Sequence, residues 1–365
     1  MTGWWGRLRY STYVRFRFVT ATPLDIRRGS GTYVGMAALA HALEGSGHTV
    51  VFETPRRTLP VYTAHRLLFN RSLRPSEGFD VTVGFDMDGY RIAGQPGHVA
   101  ALKGVIADEV RFEHGATKWT MGMQAHCEQL HVRRAARVVV TSRYCAERVR
   151  SLYGLSGEPV VVPELIDLAE WRKSLGASDW DSGPEGGAFT VLSVGRFYRR
   201  KRIDVLLRAA ALLRDRIPGL AVRIVGNGPC DARWRRLAQE LRLESTVTWL
   251  GDVSRVQLAA EYRRASVFAM PSVQEGFGIV LLEAMAAGKP IAASRAASIP
   301  EVAPHAMLVE PDNADALACG IEWLWKNPDA RAAQARAGAE WVQRFDAPRV
   351  ARQFVAACPV ICTAA

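Results

Sequence analysis

The chain has 365 residues, of which 48% are hydrophobic and 23% are charged, so it can build a large core, which excludes a mostly disordered protein. At about 100–200 residues per domain, this length favours two domains. Forty-seven Lys and Arg residues against 36 Asp and Glu residues leave a net charge of +11. This charge favours anionic partners such as nucleotides, phospholipid head groups or nucleic acid.

The sequence predicts neither a membrane-spanning nor an exported protein. Charged residues interrupt every apolar run before it reaches about 18 residues, and the first residues, Met-Thr-Gly-Trp-Trp-Gly-Arg, lack the apolar core of a secretion signal. We therefore expect a cytoplasmic protein. The six cysteines show neither paired zinc spacing nor the density of a disulfide scaffold, which predicts reduced thiols.

Both halves of the chain alternate short β-branched or aromatic runs with longer helical patterns, the signature of parallel sheets covered by helices. The predicted fold class is therefore α/β. In the first half we predict strands at residues 14–19, 49–52, 81–85 and 138–141, and a helix at 32–43. In the second half we predict strands at 190–194, 221–225, 247–250 and 267–270, and helices at 203–214, 234–241 and 279–287.

The periodic pattern lapses over residues 164–187, which include a polar, glycine-rich stretch. We place a domain boundary there, with a first lobe at residues 1–165 and a second lobe at 166–345. A last helix, at about residues 346–365, is expected to pack back on the first lobe. Two similar lobes that face each other form a cleft, which is the usual location of a ligand site.

The most informative segment spans residues 271–290 and contains two glutamates. Glu275 follows a predicted strand and precedes Gly276 and Gly278, whereas Glu283 lies inside the next helix. Glycine lets the backbone approach a ligand closely, and the free amides at a helix N-terminus suit a phosphate. Carboxylates on either side of such a site can accept hydrogen bonds from sugar hydroxyls. Taken alone, the two glutamates fit equally well as a loop acid and a surface helix residue.

A second segment, residues 195–202, places fixed positive charge after the strand at 190–194. Arg196 and Lys201 follow the carboxyl end of that strand, where parallel sheets bind ligands. Arginine grips phosphate oxygens in a bidentate manner, and lysine supplies a point charge. The other three cations of the segment are expected to be solvated: Arg199, Arg200 and Arg202.

Together these segments resemble the retaining glycosyltransferases of family 4, whose GT-B fold has two Rossmann-like lobes facing across a cleft. The resemblance covers nearly the whole C-terminal half. It is carried by residues 194–201, 224–229 and 250–253, and by Glu275 and Glu283, which seven residues separate.

The resemblance implies a role for each matching residue. Arg196 and Lys201 would bind the diphosphate of a nucleoside-diphosphate sugar, and Glu275 would face the hydroxyls of the transferred sugar; these three are the expected catalytic residues. The departing phosphate would take the proton of the acceptor hydroxyl on the same face, so that the anomeric configuration is retained. The expected donor-binding residues are Gly29, Gly31, Asn227, Val253, Gly276, Phe277, Gly278, Ile279 and Glu283.

In the first lobe the match is less complete. Gly29 and Gly31 correspond to the family's glycine-rich first loop, but the family often has a histidine after its fourth strand, where this chain has Lys103. Either Lys103 replaces that histidine or His114 approaches from the next loop. We expect the acceptor side of the cleft to contain Lys103, His114, Asp86 and Asp88.

The sequence also suggests three rival functions. The first is a nicotinamide dehydrogenase, because the glycines at 29, 31 and 35 precede a predicted helix. It is disfavoured because the spacing from 31 to 35 is one residue longer than in the dinucleotide-binding fingerprint, and because the glycines lie about nine residues beyond their strand instead of in the turn that follows it. A metal-dependent glycosyltransferase of the other main fold is suggested by Asp86 and Asp88. A non-catalytic scaffold or partner subunit that binds the nucleotide sugar is the third. We expect no metal and no cofactor, and no nucleic-acid partner, because no aromatic-basic module is present.

The resemblance implies transfer of a sugar, most plausibly a hexose, to a saccharide or lipid-linked acceptor in cell-surface glycan biosynthesis. A peripheral contact with the inner face of the cell membrane is a further expectation. It rests on Trp4, Trp5, Arg7 and Arg9, and on residues 56–74, which contain five arginines, no acid and interleaved apolar residues. For residues 56–74, the favoured interpretation is an ordinary solvated helix face with its apolar stripe on the core. The base, the sugar and the acceptor depend on side chains that no motif fixes.

Overall fold

In the computed structural model, the described residues are 13–23, 31–56, 59–75, 77–176 and 188–359. They form two lobes, each built on a six-stranded sheet whose hydrogen-bonded neighbours are all parallel. Helices connect most of the successive parallel strands, although β3 and β4 are joined by turns alone. The central strands are covered on both faces, so their residues are mostly apolar. The predicted α/β class with two Rossmann-like lobes is confirmed.

The first sheet contains β1 (Arg15–Val19), β2 (Thr49–Glu53), β3 (Val81–Phe85), β4 (His98–Leu102), β5 (Arg137–Val140) and β6 (Val160–Val161). Its strand order is β2-β1-β3-β4-β5-β6. The helices of this part of the chain are α1 (Gly31–Gly45), α2 (Tyr62–Ser72), α3 (Ile106–Glu109), α4 (Gly115–Arg134) and α5 (Arg143–Tyr153).

The second sheet contains β7 (Thr190–Val194), β8 (Ala221–Val225), β9 (Val247–Gly251), β10 (Val267–Met270), β11 (Ile291–Ser294) and β12 (Met307–Val309). Its strand order is β12-β11-β10-β7-β8-β9. The remaining helices are α6 (Leu168–Leu175), α7 (Ile203–Leu213), α8 (Asp231–Glu240), α9 (Arg255–Arg264), α10 (Ile279–Ala286), α11 (Ile299–Val302), α12 (Ala314–Lys326), α13 (Pro328–Trp341) and α14 (Ala347–Ala357).

Each sheet has a point at which the strand order reverses. It lies between β1 and β3 in the first sheet and between β7 and β10 in the second. Loops that leave the two strands at such a point run to opposite sides and open a crevice at the carboxyl ends of the strands. The two sequence segments with the predicted donor residues follow β7 and β10, so the topology brings them to one crevice.

The chain passes between the lobes at two neighbouring points. Ile166 and Asp346 form an isolated parallel bridge, and the N–H of Ala347 donates to the carbonyl of Ile166 at 3.0 Å. Beyond this point α14 packs on α1, and the Phe354 ring lies 6.2 Å from the ring of Phe16 in the core of the first lobe. Residues 177–187, within the predicted boundary, lie outside the described residues.

The two lobes touch at the loop that follows β10. The carbonyl of Gly276 accepts hydrogen bonds from the hydroxyls of Thr141 at 3.2 Å and Ser142 at 2.8 Å, and from the thiol of Cys145 at 3.3 Å. A Cβ atom on Gly276 would lie 2.5 Å from the carbonyl oxygen of Lys103. Only glycine allows the backbones of the two lobes to approach so closely.

None of the helices in the described residues combines the length and the apolar content that a membrane crossing needs. The four N-terminal residues of the expected membrane surface, Trp4, Trp5, Arg7 and Arg9, lie outside the described residues. Within the described residues, the expected membrane contact therefore depends on residues 56–74 and on the helices that pack against them.

Candidate active site

The crevice between β7 and β10 brings two opposite charges into direct contact. The ammonium Nζ of Lys201 lies 2.5 Å from the carboxylate Oε1 of Glu275, and these side chains are 19% and 7% exposed. Burial lowers the pKa of Lys201, and the Glu275 carboxylate opposes that shift. The backbone carbonyl of Glu275 accepts a hydrogen bond from the hydroxyl of Ser298 at 3.0 Å, which fixes the loop. The structure thus joins two of the three expected catalytic residues.

Arg196, the third expected catalytic residue, is oriented by the loop after β8. Its Nη1 donates to the side-chain oxygen of Asn227 at 2.6 Å, and the Asn227 amide donates to the carboxylate of Asp252. Gly228 lies against the neighbouring loop, where a Cβ atom would be 2.7 Å from the backbone nitrogen of Phe197. This close packing holds Arg196 beside Asn227, one of the expected donor-binding residues.

The N-terminus of α10 faces the same crevice and supplies unpaired backbone amides. Gly278 precedes the helix with a φ of 93°, a left-handed conformation that favours glycine, and Ile279 is the first helical residue. The side chain of Phe277 is buried, and its ring packs 5.6 Å from that of Phe345. Only the backbone of Phe277 is therefore free to contact a ligand.

Glu283 lies in the second turn of α10, and its carboxylate accepts a hydrogen bond from the Tyr262 hydroxyl at 3.0 Å. Burial raises the pKa of Glu283 to about 7. Val253, the residue expected near the base, packs on the same apolar cluster as Val280 of α10. Val253 and α10, the helix that carries Glu283, therefore border the same apolar cluster of the second lobe.

On the first-lobe side of the cleft, Asp86 and Lys103 lie at the carboxyl ends of β3 and β4. The carboxylate of Asp86 accepts the backbone N–H of Lys103 at 2.9 Å, and burial raises the pKa of Asp86 to about 6. The Lys103 ammonium lies 2.9 Å from the carboxylate of Glu164. Glu164 follows β6, and its position after a strand was a signal that the sequence analysis did not use.

Two buried histidines that support Asp86, His131 and His98, could not be recognised from the sequence. The ring Nδ1 of His131 lies 2.6 Å from the backbone carbonyl of Asp86, and its Nε2 lies 2.7 Å from Nε2 of His98. Because a carbonyl only accepts, His131 donates through Nδ1 and accepts from His98. Burial lowers the pKa of His131 to about 4 and that of His98 to about 2. The pair is neutral and supports Asp86, whose φ is 52°.

Asp88 does not face the cleft, and its expected place on the acceptor side is wrong. The side chain is fully buried and makes a bidentate ion pair with Arg66, at 3.0 and 3.1 Å. The Asn70 amide and the backbone N–H of Ala21 also donate to its carboxylate, at 3.0 and 2.7 Å. These four donors occupy both oxygens. In the part of the chain that the structure describes, no group of three or more metal-ligating side chains is arranged to hold a metal ion.

The other first-lobe predictions have separate outcomes. His114 is exposed just before α4, and its ring makes no hydrogen bond with another described residue. The structure does not join it to Asp86 or Lys103. Gly31 is the first residue of α1, whereas Gly29 lies outside the described residues.

Arg200 is not solvated as expected. Its guanidinium crosses the cleft, where Nη2 donates to the Glu109 carboxylate of the first lobe at 3.1 Å, and its side chain is 15% exposed. Arg202 is also partly buried, by contacts with Asp204 and Asp312. Arg199 is exposed, so it is the one cation of the three for which the expectation is confirmed.

Comparison with known proteins gives consistent results. The model of the family described as glycosyl transferases group 1 matches residues 177–341. The D-inositol 3-phosphate glycosyltransferase of Pseudarthrobacter chlorophenolicus is 34% identical over 214 residues, which are 56% of this chain and 51% of the relative. The GDP-mannose-dependent alpha-(1-6)-phosphatidylinositol monomannoside mannosyltransferase of Mycolicibacterium smegmatis is 30% identical over 263 residues, 66% of each protein. The chain thus spans about half to two thirds of the length of these curated relatives.

Solved structures resemble the whole two-lobed chain. A sucrose-phosphate synthase from Thermosynechococcus elongatus has a TM-score of 0.74 at 22% identity, over 94% of this chain and 98% of that one. The Anabaena protein HepE, solved with UDP and glucose, has a TM-score of 0.69 at 17% identity over the same shares. At such identities the likeness concerns the fold. Residues 177–341 therefore match the group 1 family of glycosyl transferases, and the two-lobed chain has the GT-B fold.

Proposed function

We propose that this protein is a retaining glycosyltransferase that moves a hexose from a nucleoside-diphosphate sugar to a hydroxyl of a saccharide or lipid-linked acceptor in cell-surface glycan biosynthesis. The observation that carries the proposal is the contact between Lys201 and Glu275, in the same crevice as Arg196 and the N-terminus of α10. This arrangement offers cations and amides for a diphosphate next to a carboxylate for sugar hydroxyls.

In the proposed reaction, the bond between the anomeric carbon and the phosphate oxygen breaks while the acceptor oxygen bonds to the same face of the sugar. The departing phosphate takes the proton of the acceptor hydroxyl. Lys201, Arg196 and the α10 amides balance the negative charge that develops on the phosphate, and this is the main contribution of the protein to the rate. Glu275 would hold the transferred sugar and Glu283 the ribose. No metal and no cofactor take part in this mechanism.

The first lobe would bind the acceptor. Asp86, held by Lys103 and His131, places a carboxyl group with a pKa of about 6 at the carboxyl end of β3. Such a group can orient the acceptor hydroxyl by accepting its hydrogen bond. Closing of the cleft around both substrates would exclude water, which otherwise competes with the acceptor.

The experiment that tests the proposed function is a thermal-stability screen of nucleotide sugars. GDP-mannose and UDP-glucose are the first donors to use, since one is named in the mannosyltransferase relatives and the other was solved with HepE. We expect one donor at 100 times its dissociation constant to stabilise the protein by about 2.7 kcal/mol. No stabilisation by any common nucleotide sugar would contradict the proposal. Binding without hydrolysis or transfer would instead indicate a non-catalytic scaffold.

A peripheral membrane contact is part of the proposal, and the surface that supports it differs from the expected one. Arg66 and Phe69 of the 56–74 segment are buried, so they cannot face a membrane. Half of the twelve exposed large apolar side chains among the described residues lie on α2, the residues before it and α4. We call this the α2–α4 surface, and its apolar members are Leu59, Val61, Tyr62, Leu68, Trp119 and Met123.

The charge of the α2–α4 surface fits an anionic bilayer. Residues 54–75 and 114–127 contain no Asp or Glu, whereas Arg56, Arg71 and Lys118 are exposed. Gln124 of α4 bonds Thr63 of α2 at 2.7 Å, so the two helices form one face. Apolar side chains that insert among lipids and cations that contact anionic head groups are the two attractions that hold a protein at such a surface.

Sedimentation with vesicles tests the α2–α4 surface. We expect the protein to bind vesicles that contain phosphatidylglycerol at low salt, and the variant Arg71→Ser/Lys118→Ser to bind more weakly, because each cation contributes about 1 kcal/mol. Trp119 is 80% exposed, so Trp119→Ser should also weaken binding. The matched control is Trp323→Ser, since Trp323 is an exposed tryptophan of the second lobe. Equal binding by all variants would reject this surface.

A further inference from the structure

Arg200 lies between Arg199 and Lys201 in a 3-10 turn after β7. Its backbone carbonyl accepts the N–H of Val273 at 2.9 Å, which ties the turn to the loop that carries Glu275. Arg199 points into solvent, whereas Arg200 extends across the cleft. The same short turn therefore presents one solvated and one largely buried guanidinium.

The two terminal nitrogens of Arg200 are in different states. Nη2 donates to Glu109 at 3.1 Å, but Nη1 is buried and has no hydrogen-bond partner among the described residues. A buried donor without a partner loses its hydration and gains nothing in return. Arg200 therefore has one nitrogen that fixes the guanidinium and one buried nitrogen whose hydrogen-bonding capacity is unused.

The surroundings place this unpaired donor between the donor crevice and the acceptor side of the proposed reaction. Glu275 of the donor crevice acts on Arg200 electrostatically. On the opposite side, the Glu109 carboxylate lies against Gly104, where a Cβ atom would be 2.9 Å from its Oε1. Gly104 follows Lys103, whose N–H bonds Asp86. Arg200 thus links the Lys201 crevice to the acceptor side through Glu109.

We propose that Arg200 is a further substrate-binding residue, whose Nη1 donates to a phosphate oxygen held across the cleft while Glu109 fixes the guanidinium. The inference rests on the proposed function. Phosphate is the favoured ligand because a guanidinium forms its strongest hydrogen bonds with anionic oxygens. The oxygen belongs either to the diphosphate of the donor or to a phosphate of the acceptor.

Binding measurements on Arg200→Met and on the matched control Arg199→Met test this proposal. Isothermal titration calorimetry with GDP and UDP probes the donor phosphate, and titration with D-inositol 3-phosphate, the compound in the name of one relative, probes an acceptor phosphate. We expect Arg200→Met to weaken one of the two by about tenfold or more, as for loss of a hydrogen bond to a charged group. Arg199→Met should leave both unchanged, and Arg200→Lys should recover part of the loss.

Two further variants separate binding from folding. Glu109→Gln keeps a hydrogen-bond acceptor for Nη2, so it should weaken the same probe less than Arg200→Met does. The unliganded melting temperatures of the Met variants should agree with that of the wild type. If the wild type binds a probe and Arg200→Met binds it equally well, the role of Arg200 is wrong while the proposed function stands. If the wild type binds no nucleoside diphosphate, the proposed function fails, and this inference with it.

Discussion

Lys201→Ala is expected to lower kcat by about 100- to 1,000-fold, the usual effect of removing one preorganised donor that stabilises transition-state charge. Lys201 contacts Glu275 at 2.5 Å in the crevice where the departing diphosphate would lie. Its loss removes positive charge from a largely buried position, and water cannot replace it there. Steady-state kinetics with the donor found by the stability screen give kcat and KM separately. A change in KM alone would contradict a role in the transition state.

Arg199→Ala is the matched control for Lys201→Ala, because Arg199 is an exposed cation of the same turn. It should retain nearly full activity. Assays in the presence of a chelator extend the test. In this mechanism Arg196, Lys201 and the α10 amides balance the charge that a metal ion would otherwise balance, so the enzyme should keep most of its turnover after chelation. Loss of transfer on chelation, recovery with manganese or magnesium, and an equal loss in Asp86→Asn would instead support a metal mechanism.

Asp88→Asn should destabilise the first lobe by about 3–5 kcal/mol, because it leaves the charge of Arg66 buried without its partner. The carboxylate of Asp88 is fully buried and bonds Arg66 through both oxygens. Chemical denaturation of the unliganded protein, followed by circular dichroism, measures the change in the free energy of unfolding.

The control for Asp88→Asn is the double variant Arg66→Met/Asp88→Asn, which removes the unpaired cation while the side-chain oxygen at position 88 can still accept from Ala21 or Asn70. Because the loss in Asp88→Asn is assigned to the unpaired charge of Arg66, this double variant should recover part of the lost stability. Normal stability in Asp88→Asn together with lost activity would mean that Asp88 acts on a ligand and that its structural role is wrong.

The donor half of the site was predictable because its information is local. Glu275 and Glu283 lie on a loop and its following helix, and Arg196 and Lys201 lie on a single turn after a strand. Parallel strands place such turns at one edge of a sheet. Once the α/β pattern is recognised, neighbouring positions in the sequence therefore predict neighbouring positions in the crevice.

The first-lobe side was predicted less well, since its contacts join distant parts of the chain. His131 supports Asp86 across 45 positions, and no local pattern links a histidine near the end of one helix to a turn after β3. Asp88 is only two residues from Asp86, yet the conformation of the turn places the Asp88 side chain in the core. The spacing of two aspartates therefore could not distinguish a metal pair from one residue in the cleft and one in a buried ion pair.

Sequence alone determined the α/β class with two lobes and the family resemblance, and it predicted which residues meet in the crevice between β7 and β10, because strand and helix periodicity and the turns after strands are properties of short segments. The tertiary structure decided which charges are buried. Arg200 resembles its neighbours in sequence, but it meets Glu109 because the two lobes pack against each other, with Gly276 at one of their contacts. Burial and pairing depend on what the rest of the chain places around a side chain, so the folded arrangement of the two lobes was needed to assign them.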